Sequence, residues 1–381
     1  MVRADEIPVI DCVGSTPREI GESHGAQLKD RIPALLDFYY DLFDEQGLKR
    51  EEVRDWGERL AVTVRKFSTD LADEVEGVAA GAGREPWELF ALQGRTELLA
   101  LAVSRSGQPP AGECTSISCP GMAVAGQNWD WDLRMASGVV ILRLPRCGKR
   151  PEMLTLTEAG IVGKVGLNEH GLGTCINILF GKEPARTADV VPVHILARAA
   201  LECESIEDVD ALLRGAPRYC YSHLLVTDKR GRYRMMEFCG PKLEVLGEEH
   251  DGKEAPPAVV HTNHYLHPSF AGSDENSDLA HTRKRRKRAV EIIEGFGSGA
   301  PSHSDVAREL AKSVLGDRKD APKSILYNDA PGMGPDRTLA TLCSFVLELK
   351  SLQMHVTRGD AMLQQYDVVP LSPSTRQRSP G

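Results

Sequence analysis

One cysteine of the chain stands where a nucleophile could be placed. Cys114 follows a Gly/Pro-rich stretch at 106–113, which predicts an exposed loop, and it begins a segment that predicts a strand. A free thiol at such a junction is often packed in the core. In its thiolate form it is instead a nucleophile. Taken alone, a cysteine here is more often structural, so its surroundings decide between the two interpretations.

A carboxylate follows this cysteine at a spacing that two paired strands would bring together. Asp130 ends the run QNWD, sixteen residues after Cys114. The Pro-Gly pair at 120–121 predicts a turn between two antiparallel strands. Such a pair places Asp130 back beside Cys114, where a carboxylate can orient an amine or a thiol by hydrogen bonding.

Two polar residues far downstream lie at the ends of other predicted strands. Asn263 follows the apolar strand in VVHTNHYLH, and its amide N–H could serve an oxyanion hole. Arg337 heads the strand in GPDRTLATL, and arginine keeps its charge and donates in a rigid fork.

A metal site is the competing interpretation of the histidine-rich segment. His261, His264 and His267 recur every three residues, and imidazole suits transition metals. On a strand, a three-residue spacing alternates faces, so the three rings would not converge. We therefore expect neither a metal ion nor another cofactor.

The charge balance bears on possible partners. The formal net charge is −9, whereas nucleic-acid binders usually carry a basic domain or stripe. The run RKRRKR at 283–288 is the exception, and we interpret it as one solvated helix face beside acidic neighbours. We expect no nucleic-acid partner.

The cysteines and the apolar runs predict a compartment. Nine cysteines without a CxxC pair are an odd number, which leaves at least one thiol free. Reduced thiols are typical of the cytoplasm. The start MVRADEIPVIDCVG has no apolar run of signal-peptide length, and no segment approaches 18 apolar residues. We therefore predict a cytoplasmic protein without a membrane partner.

The predicted secondary structure changes at the loop before Cys114. Helical spacing of apolar residues runs from about Pro17 to Ser104, and short strands dominate after residue 113. Helices are predicted again at 192–214, with Ser205 as an N-cap, and at 280–296 and 303–315. A last strand pair fits TLATLCSFVLEL and SLQMHVT.

The motifs together resemble a known enzyme family. The chain is similar, over roughly residues 14–357, to the cysteine-dependent N-terminal-nucleophile family of fungal acyl-coenzyme A:6-aminopenicillanic acid acyltransferase. The resemblance rests on GSTPREIGESHGAQLKDRI, on CTS followed by GQNWDWD, on GIVGKVGLNEHGLGTCINIL and on HTNHYLHPSF. It implies an α+β fold, the four-layer αββα sandwich of N-terminal-nucleophile hydrolases. Residues 1–113 would be a helical segment, 114–371 the catalytic core and 372–381 a disordered tail.

The resemblance also implies roles for the residues at the junction. Cys114 would be the nucleophile, exposed as a new N-terminus by self-cleavage after Glu113. Asp130 would orient the nucleophile and its amine. Glu113 stands where family members often have glycine, which leaves an alternative open: an uncleaved, non-catalytic binding protein on the same fold.

Three more roles follow from the same resemblance. Asn263 would donate to the oxyanion, and Arg337 would be a supporting charge. Asn177, which ends GLGTCIN, resembles a second oxyanion residue of the related bile-salt-hydrolase group.

A self-cleaved cysteine supplies its own base. Free cysteine has a pKa of about 8.5, and the α-amine freed by the cut has a pKa of about 7.7–8.0, suited to proton transfer near neutral pH. The resulting thioester is hydrolysed if water attacks it and transferred if an amine attacks it, and the sequence leaves both open. The predicted partners are a small-molecule amide or acyl-thioester substrate and the protein's own N-terminal fragment.

Overall fold

The structure, a computed structural model, describes residues 7–106, 113–181, 188–247, 256–275, 279–296, 303–321, 323–327, 330–331, 338–359 and 365–372. The helices are α1 Pro17–Gln27, α2 Ile32–Glu45, α3 Arg50–Phe67, α4 Thr69–Ala82, α5 Pro86–Gln93, α6 Arg95–Ser106, α7 Val193–Leu201, α8 Ile206–Gly215, α9 Leu279–Gly295 and α10 Ser304–Leu315. The strands are β1 Val9–Asp11, β2 Glu113–Cys119, β3 Val124–Asp132, β4 Val139–Leu144, β5 Met153–Glu158, β6 Val165–Asn168, β7 Leu172–Ile178, β8 Cys220–Asp228, β9 Tyr233–Gly240, β10 Lys242–Leu246, β11 Val259–His261, β12 Ala330–Pro331, β13 Thr338–Glu348, β14 Gln353–Arg358 and β15 Asp367–Pro370.

The N-terminal helices begin and pack as their sequence dictates. Thr16 caps α1 in a reciprocal box with Glu19, and proline stands in the first turn. Glycines let α1 and α4 approach closely, because a Cβ at Gly21 or Gly25 would meet a carbonyl oxygen of α4 at 2.0 or 2.2 Å. The GxxxG spacing near the start of the chain is therefore a helix-packing motif.

Two sheets form the middle of the molecule. One has eight strands in the order β1-β4-β5-β6-β7-β8-β9-β10, and the other has the order β11-β2-β3-β13-β14-β15, with β12 paired to β13. We call them the first and the second sheet. They pack face to face, and Gln127 of the second sheet donates to the Ile176 carbonyl of the first at 2.7 Å.

Helices cover both outer faces. Helices α9 and α10 pack on the second sheet, where Ala289, Ile293 and Leu310 join the apolar cluster of Ile117 and Val124. Helix α7 and the N-terminal helices cover the first sheet, and Tyr39 of α2 donates to Glu158 of β5. The layers are α, β, β and α, so the predicted four-layer α+β sandwich is confirmed.

The structure departs from the predicted elements in one place. The segment 1–113, predicted as helical, also contributes β1, which pairs in parallel with β4 of the first sheet. The helical stretch predicted at 192–214 holds α7 and α8, and Ser205 accepts a hydrogen bond from the Asp208 N–H as the predicted N-cap of α8. Residues 373–381 of the predicted tail lie outside the described residues.

Among the described residues, none of the helices combines the length and the hydrophobicity that a membrane span requires.

Candidate active site

Cys114 lies at the start of β2, with its side chain between the two sheets. Its Cα partner on β3 is Trp129, and Glu113 is paired with Asp130. Side chains on a strand alternate between faces. Ser116, two positions on, donates to Asn177 of the facing sheet at 2.7 Å. Cys114 therefore points toward the first sheet as well, and its side chain is buried.

The backbone nitrogen of Cys114 is held by Asn263. Its N–H donates to Asn263 Oδ1 at 2.9 Å. Arg285 Nη2 donates to the same oxygen at 2.8 Å, which fixes the orientation of the amide because arginine only donates. The other end of the amide, Nδ2, donates to the Ile178 carbonyl at 2.8 Å. In this geometry Asn263 is an acceptor for the nitrogen that a cut would turn into an amine, and its oxyanion role stays a prediction.

The carbonyl of Cys114 is held by two further side chains. Asn177 Nδ2 donates to it at 3.2 Å and Arg285 Nη1 at 3.0 Å. Asn177 is fixed in turn, because Ser116 and His223 Nδ1 both contact its Oδ1, at 2.7 and 2.9 Å. The structure thus brings Asn177 and Asn263, both named from the sequence, together at Cys114, with one at its carbonyl and the other at its nitrogen. The oxyanion role of Asn177 stays a prediction.

Asp130 reaches the site from the other face of the second sheet. It follows Trp129, the partner of Cys114, so its side chain points away from the thiol. Thr341 Oγ1 donates to its carboxylate at 2.6 Å. Asp130 is the cross-strand partner of Glu113, the residue before the predicted cut. Its predicted part in orienting an amine remains a prediction.

Arg285 is a site residue that the sequence analysis missed. It lies within RKRRKR on α9, is 2 % exposed, and donates to Thr115 Oγ1 at 2.8 Å as well as to the Cys114 carbonyl. The interpretation of this run as one solvated face is wrong at this position. Helical spacing carried the missing signal, because Thr282, Arg285, Ala289 and Ile293 recur every three or four residues and all are buried.

Arg337, predicted as a supporting charge, lies outside the described residues, and so does the side chain of Glu113. Among the residues that the structure does describe, the guanidinium at the nucleophile belongs to Arg285.

Some features of the site raise the pKa of the Cys114 thiol, and others lower it. Burial raises the pKa of Cys114 to about 12, and the Asp130 carboxylate adds to the rise. A hydrogen bond from the Asp130 backbone, the Arg285 guanidinium and the Lys164 ammonium act in the opposite direction. The thiol needs these groups, or a nearby base, to become a thiolate near neutral pH.

The three histidines of the predicted metal alternative have separate partners. His261 Nε2 contacts Glu237 Oε1 at 2.7 Å, and His264 Nδ1 contacts Thr262 Oγ1 at 3.1 Å. His267 caps the short turn at 268–270. The strand ends at His261, so the alternation of faces invoked for all three does not apply to the other two. No group able to hold a metal ion occurs among the described residues.

Comparison with known proteins places the chain in a family. Residues 118–360 match the model of the family described as acyl-coenzyme A:6-aminopenicillanic acid acyl-transferase, which is more than half of the chain. The chain belongs to this acyltransferase family. The predicted resemblance is confirmed, and with it the predicted class of enzyme, one that acts at C–N amide bonds by acyl transfer or hydrolysis.

One relative of this acyltransferase-family chain covers most of it. The acyl-coenzyme A:6-aminopenicillanic-acid-acyltransferase 40 kDa form of Emericella nidulans is 28 % identical over 337 residues, 87 % of each chain.

Solved structures give looser likenesses. A Caenorhabditis elegans N-acylethanolamine-hydrolyzing acid amidase ortholog is 16 % identical with a TM-score of 0.43 and covers 68 % of this chain and all of its own. Penicillin V acylase from Agrobacterium tumefaciens is 12 % identical with a TM-score of 0.43, covering 69 % of this chain and 89 % of its own. A conjugated bile acid hydrolase variant from Clostridium perfringens is 12 % identical with a TM-score of 0.45, covering 68 % and 92 %.

Proposed function

We propose that this protein cuts itself between Glu113 and Cys114 and then hydrolyses or transfers an acyl group through a thioester on Cys114. One observation carries the proposal: three side chains from separate elements hold the backbone nitrogen and carbonyl of a buried cysteine. Any buried peptide group needs hydrogen-bond partners, but at Cys114 they come from the polar side chains of Asn263, Asn177 and Arg285, which can stay in place when the peptide bond is cut.

The cut is an acyl shift followed by hydrolysis. The Cys114 sulfur attacks the Glu113 carbonyl carbon, a C–S bond forms, and the C–N bond of the 113–114 peptide breaks while the nitrogen takes up the thiol proton. Water then attacks the thioester, which releases the Glu113 carboxylate and restores the thiol. Asn263 Oδ1 already accepts from this nitrogen at 2.9 Å and can keep the new amine in place.

The freed amine then acts as the base for each turnover. It takes the proton from the Cys114 thiol as the sulfur attacks the substrate carbonyl, and it returns that proton to the leaving amine. Because Asn263 accepts one N–H of the neutral amine, the amine lone pair is left for the thiol proton. Departure of Glu113 also vacates the position that pairs with Asp130, so the Asp130 carboxylate is placed to orient the charged amine.

The N-terminal fragment, residues 1–113, stays bound after the cut as a partner of the catalytic core 114–371. Buried hydrogen bonds join the N-terminal fragment to the first sheet of the core. Tyr39 donates to Glu158 at 2.6 Å, Arg95 Nη2 donates to the same carboxylate at 2.6 Å, and the Gly160 N–H donates to His24 at 3.1 Å. These contacts leave the new ends at 113 and 114 free to separate without releasing the helices.

The substrate is a small-molecule amide or an acyl thioester. The E. nidulans relative is named for an acyl-coenzyme A donor and an amine acceptor, which favours transfer to an amine, whereas the same thioester is open to water. All nine cysteines are unpaired, which supports a reducing compartment such as the cytoplasm.

The test is to trap the acyl-enzyme. Incubation with a panel of acyl-amines and acyl thioesters, with and without an amine acceptor, should add the mass of one acyl group to a peptide that begins at Cys114. Cys114→Ala should be uncut and inactive, and Cys119→Ala, which changes a buried thiol on the same strand, should keep both activities. Turnover by Cys114→Ala would refute the proposal, because another residue would then be the nucleophile.

A further inference from the structure

We propose that Lys164 is the counter-charge that allows the Cys114 thiol to ionise, acting as a positioning residue across Trp129. The inference rests on the proposed role of Cys114 as nucleophile. It assigns a function to the lysine of GIVGKVGLN, which the proposed reaction did not use.

Lys164 lies on the same side of the second sheet as the thiol. It immediately precedes β6 of the first sheet, and its Nζ stands 3.9 Å from the centre of the Trp129 ring. Trp129 is the cross-strand partner of Cys114, and directly paired residues present their side chains on one face. The ammonium is therefore next to the ring that flanks the nucleophile.

A buried polar cluster holds the ammonium in place. Lys164 donates to the Glu158 carboxylate, and Arg95 donates to the same oxygen through Nε at 3.0 Å and Nη2 at 2.6 Å. Tyr39 donates to the other oxygen at 2.6 Å. We call Glu158, Arg95 and Lys164 the Glu158 cluster, and none of its members is more than 5 % exposed.

The charges of this cluster do not cancel. It holds two cations and one carboxylate, and the Tyr39 phenol is neutral, since burial raises its pKa well above the ordinary value. Glu97, two residues after Arg95 on α6, accepts a hydrogen bond from the Val193 N–H at the start of α7 at 2.8 Å. Burial raises the pKa of Glu97 to about 7, so its carboxylate offsets the charge of Arg95 only in part near neutral pH. Uncompensated buried charge is costly, so a thiolate on Cys114 is a favourable neighbour for the surplus positive charge.

The groups that face Cys114 come from several elements, and they divide between the two faces of the second sheet. Asp130 and Arg285 lie with Thr341 and Thr115 on the face toward α9. Burial raises the pKa values of Cys175 on β7 and Cys343 on β13, and the charge of Cys114 adds to both rises. Among the described cations that act on the thiol, Lys164 is the one on the side of the sulfur.

The electrostatic link runs in both directions. Burial lowers the pKa of Lys164 to about 8, with Arg95 adding to the fall, while Glu158 and Cys114 raise it. His194 is affected by both Lys164 and Arg95, since burial and these two cations lower its pKa. Ammonium and thiolate therefore stabilise each other near neutral pH.

The experiment measures the ionisation of Cys114 directly. The rate of alkylation by iodoacetamide is followed against pH, with the Cys114 peptide identified by mass. Lys164→Met keeps most of the length of the side chain and removes its charge, so the apparent pKa of the thiol should rise by about one unit and alkylation at pH 7 should slow about tenfold. Lys164→Arg should recover most of the rate.

A matched control separates charge from packing. Lys312 of α10 also lies over an aromatic ring, 4.8 Å from the centre of Tyr366, and pairs with Glu309 at 3.2 Å. Lys312→Met should leave the pH profile of Cys114 alkylation unchanged. Thermal unfolding of every variant shows which of them are folded.

Each outcome bears on one of the two proposals. A folded Lys164→Met protein with the wild-type alkylation profile overturns the role of Lys164 and leaves the function of Cys114 intact. Full acyl transfer after complete alkylation of Cys114 would overturn the proposed function instead. If Lys164→Met is uncut, raising the pH above 9 should restore cleavage, and a chain that stays uncut there contradicts the role of Lys164.

Discussion

Two buried ion clusters join the N-terminal helices to the first sheet, and they differ in charge. The Glu74 cluster consists of Glu74 and Glu202 with Arg198 and Arg150, two carboxylates and two guanidinium groups. The Glu158 cluster has one carboxylate for two cations and lies beside Trp129. The balanced cluster can stabilise the fold without affecting the nucleophile. The unbalanced one carries a surplus charge where an anion has to form.

The comparison gives a physical criterion for function among buried charges. Neither cluster could be assigned from burial alone, because Arg198 is 1 % exposed and Arg95 5 %. What distinguishes them is whether the charges cancel inside the cluster. Four predictions test this distinction, in order of decreasing effect.

Removing a guanidinium from the balanced cluster should cost the most stability. Arg198 donates to the Glu74 carboxylate at 2.9 and 3.1 Å. Arg198→Met removes one of the two guanidinium groups that neutralise this carboxylate and leaves Arg150 alone. Breaking a buried pair in this way typically costs about 3–5 kcal/mol. Urea unfolding should show this loss, while the alkylation profile of Cys114 in the folded variant stays as in wild type. A loss below about 1 kcal/mol would mean that the cluster does little for the fold.

Acid should destabilise the protein through both clusters. Burial raises the pKa of each carboxyl, but Arg198 and Arg150 outweigh it at Glu74, and Arg95 and Lys164 outweigh it at Glu158, which leaves both pKa values at about 2. The unfolded chain therefore binds more protons than the folded one below pH 4.5. Stability present above that pH should be lost as the pH falls toward 2, by up to about 3 kcal/mol for each carboxyl. Urea midpoints that do not change between pH 5 and pH 3 would contradict the assignment.

Arg285 lies on the other face of the second sheet and contacts the carbonyl of the nucleophile. Arg285→Met removes the donors to the Cys114 carbonyl and to Asn263 Oδ1, so turnover should fall on the order of 100-fold, as when one donor to a reacting group is lost. Lys287→Met, an exposed charge in the same helical run, should keep wild-type turnover. Equal rates for the two variants would remove Arg285 from the site.

Removing a surface ion pair should have the smallest effect of the four changes. Arg146 contacts Glu169 at 2.6 Å, as close as some of the buried pairs, but its side chain is 60 % exposed. Arg146→Met should therefore change the free energy of unfolding by less than about 1 kcal/mol. A larger change would show that distance, rather than burial, sets the strength of these pairs.

Local signals predicted much of the fold. Three predictions depend on neighbouring residues alone: Ser205 as an N-cap, the turn at 120–121, and the strand pair in TLATLCSFVLEL and SLQMHVT. Each of these elements is present. Strand β1 was missed because three residues are too few for an alternating pattern to appear. Its pairing with β4 is set by contacts far along the chain.

The candidate site was only partly accessible from the sequence. Cys114, Asn177 and Asn263 could be named from motifs, and the structure brings all three together. Arg285 was hidden in a basic run, where the buried position can be told from the exposed ones only by helical phase. The face on which Asp130 lies depends on strand register, which the QNWD motif does not specify.

The central claim is that Cys114 becomes an N-terminus, and denaturing mass spectrometry of the purified, active protein tests it most directly. We predict two chains of 113 and 268 residues, the larger beginning with Cys114, and a single uncut chain for Cys114→Ala. A single chain of 41.7 kDa that still turns over an acyl-amine would contradict the account.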